Sequence, residues 1–83
     1  MEKQEIFERL KELLLCQYPE KKELIEKGTL DGTIDGYYEL TSVGMLYLII
    51  VIENEFDFEF TDVGMKDFET LGQVVDYIYE IKR

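Results

Sequence analysis

The stretch that most limits how this chain can fold is Val43–Ile52, ten consecutive residues without a charged side chain. A membrane-spanning helix takes about 20 apolar residues, so this run belongs in or on a folded domain. An irregular segment, GTLDGTIDGYYELT over 28–41, leads into it, and Ser42 stands at the junction. Beyond it the chain turns acidic and aromatic, ENEFDFEF over 53–60.

Taken alone, the run reads two ways. YLIIVI is rich in β-branched residues, which favour strands, and FDFEF alternates at period two. A hairpin turning at Glu53–Asn54 follows from that reading. Against it, Glu-Asn lacks the glycine that tight hairpin turns want, and a lone two-stranded sheet is marginal. Ser42 is a good N-cap ahead of Val43, so a buried helix over 43–54 is open as well, though these residues alone do not force it.

The flanks are clearer. Ile6, Leu10 and Leu14 recur at four-residue spacing, with Phe7 and Leu13 beside them, and predict a helix over 2–16. Glu5 and Arg9 stand four apart in the favourable order for an ion pair. Pro19 ends this helix, because the residue before a proline is pushed toward extended backbone. Residues 20–27 suit one or two helical turns, anchored by Leu24 and Ile25 and stopped at Gly28. The Asp-Gly pairs at 31–32 and 35–36 mark turns. DGTIDG lacks the acidic spacing of a calcium loop. Leu30, Ile34, Tyr37 and Leu40 are placed to pin this long loop, and a pinned long loop is more often functional. Thr61 or Asp62 suits the cap of a short helix near 62–67. Thr70 and Gln73 form a capping box before Leu71, Val74, Val75 and Ile78, an amphipathic stripe running to about residue 82. The candidate core is Phe7, Leu10, Leu14, Leu46, Ile49, Phe56, Phe60, Phe68, Leu71, Val74, Val75 and Ile78.

Composition narrows the function. At 83 residues the chain is expected to form one domain, 1–83, with a thin core. The absence of His removes the usual general base and the commonest metal ligand. The single cysteine, Cys16, excludes an internal disulfide and any CxxC site; it is expected as a small hydrophobe in or near the core. A free thiol and no basic-then-apolar leader suit a cytoplasmic protein. The net charge is −10, and residues 31–80 carry twelve acids against one base, Lys66. Such a field repels nucleic acid and anionic membranes and favours partners with basic patches. Asp57, Glu59 and Asp62 read as acidic surface rather than as general acid–base groups, so no enzyme is expected.

A further set of residues carries a family resemblance. Thr41-Ser42-Val43 is followed by the apolar run, then Glu55-Phe56-Asp57, Phe58-Glu59-Phe60, Phe68-Glu69-Thr70-Leu71-Gly72 and Val75-Asp76-Tyr77-Ile78. In order and spacing, over 41–78 without gaps, this resembles the acyl and peptidyl carrier proteins. Each motif is short, and only together do they carry the resemblance. It implies an all-α fold, a small four-helix bundle of acyl-carrier-protein type with a long loop between helices 1 and 2 and a short helix 3. It also implies that 43–54 is helix.

By the same resemblance Ser42 is the attachment point of 4′-phosphopantetheine, taken from coenzyme A by a phosphopantetheinyl transferase. The arm would bear an acyl or aminoacyl group as a thioester for loading and synthase enzymes, the carrier itself being a monomer that catalyses nothing and binds no metal. One departure is Thr41, where the family usually has an acidic residue that helps hold the metal during modification. A second is the outward face of the helix after Ser42. Val43, Tyr47 and Ile50 stand where fatty-acid carriers are acidic, which suggests apolar docking to partners and a secondary-metabolite or peptide-synthetase-like pathway. The alternative function is a small acidic interaction domain with the same bundle and no prosthetic group, in which Ser42 is only a helix cap.

Overall fold

The computed structural model describes residues 1–60 and 68–82. Four α-helices build it: α1 (Lys3–Gln17), α2 (Lys22–Glu26), α3 (Ser42–Phe56) and α4 (Leu71–Lys82). The fold is all-α, with α1 packed against each of the other three. The short helix expected near 62–67, with Thr61 or Asp62 as its cap, lies outside the described residues.

Helix α1 buries Ile6, Phe7, Leu10 and Leu14 of the predicted set, and Leu13 packs partly buried beside them. Its start differs from expectation in one ion pair. The Glu5 carboxylate accepts the Glu2 N–H at 2.9 Å, closing the first turn, and so is not on Arg9. Arg9 instead pairs with Glu12 at 3.3 Å and with Glu55 of α3 at 3.1 Å. Cys16 is a second correction. It is exposed rather than in the core, because it lies two residues past Leu14 and faces away from the stripe. Pro19 then forces a single 3-10 turn, Pro19–Lys21, which runs into α2 and its buried Ile25.

The loop that follows is held, not loose. Ile34, Tyr38 and Leu40 are buried; Tyr38 fills the place expected for Tyr37, whose hydroxyl instead donates to the Leu24 carbonyl at 2.8 Å. Backbone hydrogen bonds clip the loop to the entry of α4: Ile34 N–H to Glu69 O (2.8 Å), Leu71 N–H to Gly32 O (3.3 Å) and Gly72 N–H to Leu30 O (2.8 Å). Gly28 is required by packing rather than by a left-handed backbone, since a methyl there would overlap the Tyr38 ring. The Tyr38 hydroxyl donates to Thr29 O at 2.9 Å. Burial, with Tyr37 beside it, pushes its pKa up to about 12. At Glu39 the chain takes φ 57°, a left-handed conformation that costs an L-residue roughly 1–2 kcal/mol and turns Leu40 back into the core.

Helix α3 settles the helix-or-strand question. Its inner face, Met45, Leu48, Ile49, Ile52 and Phe56, is buried, and Asp57 ends it in the left-handed region at φ 57°. No partner strand exists among the described residues; the one β-type pairing is an isolated bridge between Thr33 and Thr70. The period-two signal in FDFEF has another cause. It puts Phe58 and Phe60 on one side of an irregular segment, where both reach Tyr77 of α4, Phe60 stacking on it at 5.3 Å. Phe60 and Phe68, expected in the core, are half-buried members of this aromatic cluster beside it. Leu46 is the clear miss. It is 53% exposed, because a run apolar on every side gives no phase, and the core takes 45, 48, 49 and 52 instead. Helix α4 carries the expected cap, Gln73 N–H to Thr70 Oγ1 at 3.3 Å, and buries Leu71, Val74, Val75 and Ile78.

Leu48 is fully buried, so Leu48→Ala is expected to lower unfolding stability by about 2–5 kcal/mol in urea titration. Leu46→Ala is expected to stay within about 0.5 kcal/mol of the parent. The reverse order would contradict the helix phase.

Candidate functional site: the N-terminus of helix α3

Two residues share the work at the start of α3. Thr41 has extended backbone, φ −81° and ψ 172°, and its Oγ1 accepts the Gly44 N–H at 3.1 Å. Its carbonyl accepts the Met45 N–H at 2.8 Å. Thr41, not Ser42, is therefore the N-cap, which corrects the expectation. Hydroxyl and carboxylate side chains both perform this role, so a threonine supplies the capping oxygen that an aspartate at this position would supply.

Ser42 is the first residue of the helix and is exposed. Because Thr41 does the capping, the Ser42 hydroxyl makes no hydrogen bond among the described residues. The Ser42 and Val43 N–H groups are likewise without a partner among them. Unpaired N–H groups and the positive end of the helix dipole together favour an anionic oxygen at this spot.

Beside Ser42 lies an open groove of about 520 Å³, lined by Thr33, Ile34, Asp35, Leu40, Thr41, Ser42, Met45, Phe68 and Glu69. Ile34, Leu40 and Met45 form its apolar floor, and Asp35 and Glu69 are its charged members. Among the described residues no basic side chain lines it, and the feature there that favours an anion is the helix terminus.

On the outer face of α3, Val43 (77% exposed), Leu46 (53%), Tyr47 (55%) and Ile50 (49%) form one stripe at i, i+3, i+4 and i+7. The three expected docking residues are thus side by side in solvent, and Leu46 joins them. Sequence reasoning missed Leu46 by assigning it to the core; its i+3 spacing from Val43 was the available signal. No helix among the described residues is long and apolar enough to cross a membrane.

An all-α bundle with an exposed serine at a helix start, beside a groove, is what the resemblance of residues 41–78 to carrier proteins implies. Comparison with known proteins agrees. The acyl carrier protein of Coprothermobacter proteolyticus is 31% identical over 78 residues, 94% of this chain and 92% of that protein. The acyl carrier protein of Clostridium perfringens is 29% identical over 75 residues, 90% of this chain and 95% of its own. No family model matches the chain, and no solved structure matches it. The chain belongs to the acyl carrier protein family.

The cap assignment is testable by itself. Thr41→Val removes the capping oxygen and is expected to cost about 1 kcal/mol, whereas Thr41→Asp keeps it and leaves the urea midpoint near the parent's. Equal midpoints for the Val and Asp variants would contradict it.

Proposed function

We propose that this carrier is modified at Ser42 by 4′-phosphopantetheine, transferred from coenzyme A by a phosphopantetheinyl transferase. The observation that carries the reading is the division of labour at α3: Thr41 caps the helix, and the Ser42 hydroxyl is left exposed at a terminus suited to a phosphodiester. When bound, the arm supplies a terminal thiol that bears an acyl or aminoacyl group as a thioester. The chain's own residues do the rest. Ser42 Oγ provides the bond, the α3 terminus stabilises the phosphodiester charge, and the groove floored by Ile34, Leu40 and Met45 offers apolar shelter. In this reading the chain is a single carrier unit over 1–83, monomeric and cytoplasmic. It catalyses nothing and raises the effective concentration of a tethered substrate.

Partner choice follows from the α3 face. Loading and synthase enzymes dock on Val43, Tyr47 and Ile50, with Leu46 completing the patch. An apolar face of this kind supports a secondary-metabolite or peptide-synthetase-like pathway over bulk fatty-acid synthesis.

Incubation with coenzyme A, magnesium and a broad-specificity transferase is expected to raise the intact mass by one phosphopantetheinyl group, and Ser42→Ala is expected to gain none. A folded parent that gains nothing with several transferases would favour an unmodified interaction domain. The docking assignment has its own test. Val43→Gln with Tyr47→Gln is expected to leave stability within about 0.5 kcal/mol while raising the KM for the carrier in reactions with its partners. Unchanged KM with every partner would remove the patch from recognition.

A further inference from the structure

The segment that carries Ser42 is gripped from one place on both sides. Lys21, at the end of the 3-10 turn, points its ammonium at the loop before the serine. Its Nζ donates to Tyr38 O at 3.3 Å and Glu39 O at 3.2 Å, and lies 3.6 Å from the Glu39 carboxylate. These are the residues around the left-handed bend at Glu39, three positions before Ser42. The same ammonium lies 4.9 Å from the centroid of the Tyr18 ring, and its side chain is mostly shielded from solvent, at 22% exposure.

Two positions after Ser42, Gly44 is held by the same corner of the molecule. Gln17 Nε2 donates to Gly44 O at 3.1 Å and to the Tyr18 hydroxyl at 2.9 Å. The Tyr18 hydroxyl sits where any side chain at residue 44 would have to be. Gly44 therefore has a positive use. It gives up helix propensity and lets Tyr18 lie against the first turn of α3.

We infer that Gln17, Tyr18 and Lys21 form a brace that positions Ser42 for modification, setting the orientation of its hydroxyl without touching it. The inference rests on the attachment reading above. Its physical basis is that Ser42 is exposed and its hydroxyl makes no hydrogen bond among the described residues, so the backbone on either side sets where its side chain starts and points. Lys21 holds that backbone through two consecutive carbonyls at a strained bend. Gln17 and Tyr18 hold it through the carbonyl and bare Cα of Gly44. Charge-assisted hydrogen bonds of the Lys21 kind are the stronger sort, and here they oppose the relaxation of a left-handed residue.

The test uses the full chain with Lys21→Met, which keeps the aliphatic stem and removes the donor, and Lys21→Arg, which restores one. Amide hydrogen exchange is read at Leu40, whose N–H ties the bend to Ile34 O, and at Gly44 and Met45, whose N–H groups are bonded to Thr41. Transfer from coenzyme A by a broad-specificity transferase is read as kcat and KM. In Lys21→Met, exchange at these three amides is expected to rise about tenfold, the scale of losing hydrogen bonds to a charged group. The amides of Val74, Val75 and Ile78 keep their rates, kcat falls by a similar factor at unchanged KM, and Lys21→Arg recovers both. Gln17→Met opens the other end and is expected to act on Gly44 and Met45 alone. Unchanged exchange at all three amides overturns the brace. A uniform rise across α4 overturns it too, as general destabilisation, and so does a change confined to KM, as a contact with the transferase. If the parent accepts no group at Ser42, the attachment reading fails, and exchange alone decides whether the brace exists.

Discussion

The structure depends on the packing of α3 against α1. Helix α3 is apolar all round through Ile52, yet α1 is its principal helical neighbour. One face, Met45 through Phe56, goes under α1 and the loop; on the other, Val43, Leu46, Tyr47 and Ile50 stay exposed. Burying the inner face stabilises the domain by roughly 1.5–3 kcal/mol per large side chain. The exposed stripe of Val43, Leu46, Tyr47 and Ile50 contributes much less per side chain. A helix with this composition in a chain of net charge −10 keeps its solubility through the acids elsewhere and presents an uncharged patch beside Ser42.

The rest of the chain can be understood as support for that junction. Pro19 breaks the path of α1 and brings Lys21 round to the loop. The loop is tied to the entry of α4 by three backbone hydrogen bonds and sealed by Tyr38 over Gly28. It then bends at Glu39 to deliver Leu40 to the core and Thr41 to the cap. Each step fixes backbone, and none engages the Ser42 hydroxyl. The arrangement suits a protein that offers one group to other enzymes.

Much of this was legible in the residues where charge and apolar side chains alternate. In α1 and α4 the polar positions between Ile6 and Leu14, and between Leu71 and Ile78, set the helical phase, and the residues of those stripes are buried except Leu13, which is partly so. The capping box at Thr70 was readable for the same reason, since Thr and Gln at that spacing have a specific use. In α3 the information was missing. Ten uncharged residues leave the period and the phase open, so propensity pointed to strand and the core assignment misplaced Leu46. Tertiary packing chose the face. Ser42 as the residue of interest came from the family resemblance, whereas Thr41 as the cap required the backbone angles. The brace from Gln17, Tyr18 and Lys21 spans up to 27 residues of sequence, and no local pattern announces a contact of that range.

The central claim is that the fold exists to hold Ser42 out as an attachment point. Its most direct test is peptide mapping by tandem mass spectrometry of the protein purified from its own cells. The account predicts a phosphopantetheinyl group on the peptide containing Thr41-Ser42-Val43, localised to Ser42. Finding Ser42 wholly unmodified in folded protein, or the group on another residue, would contradict it.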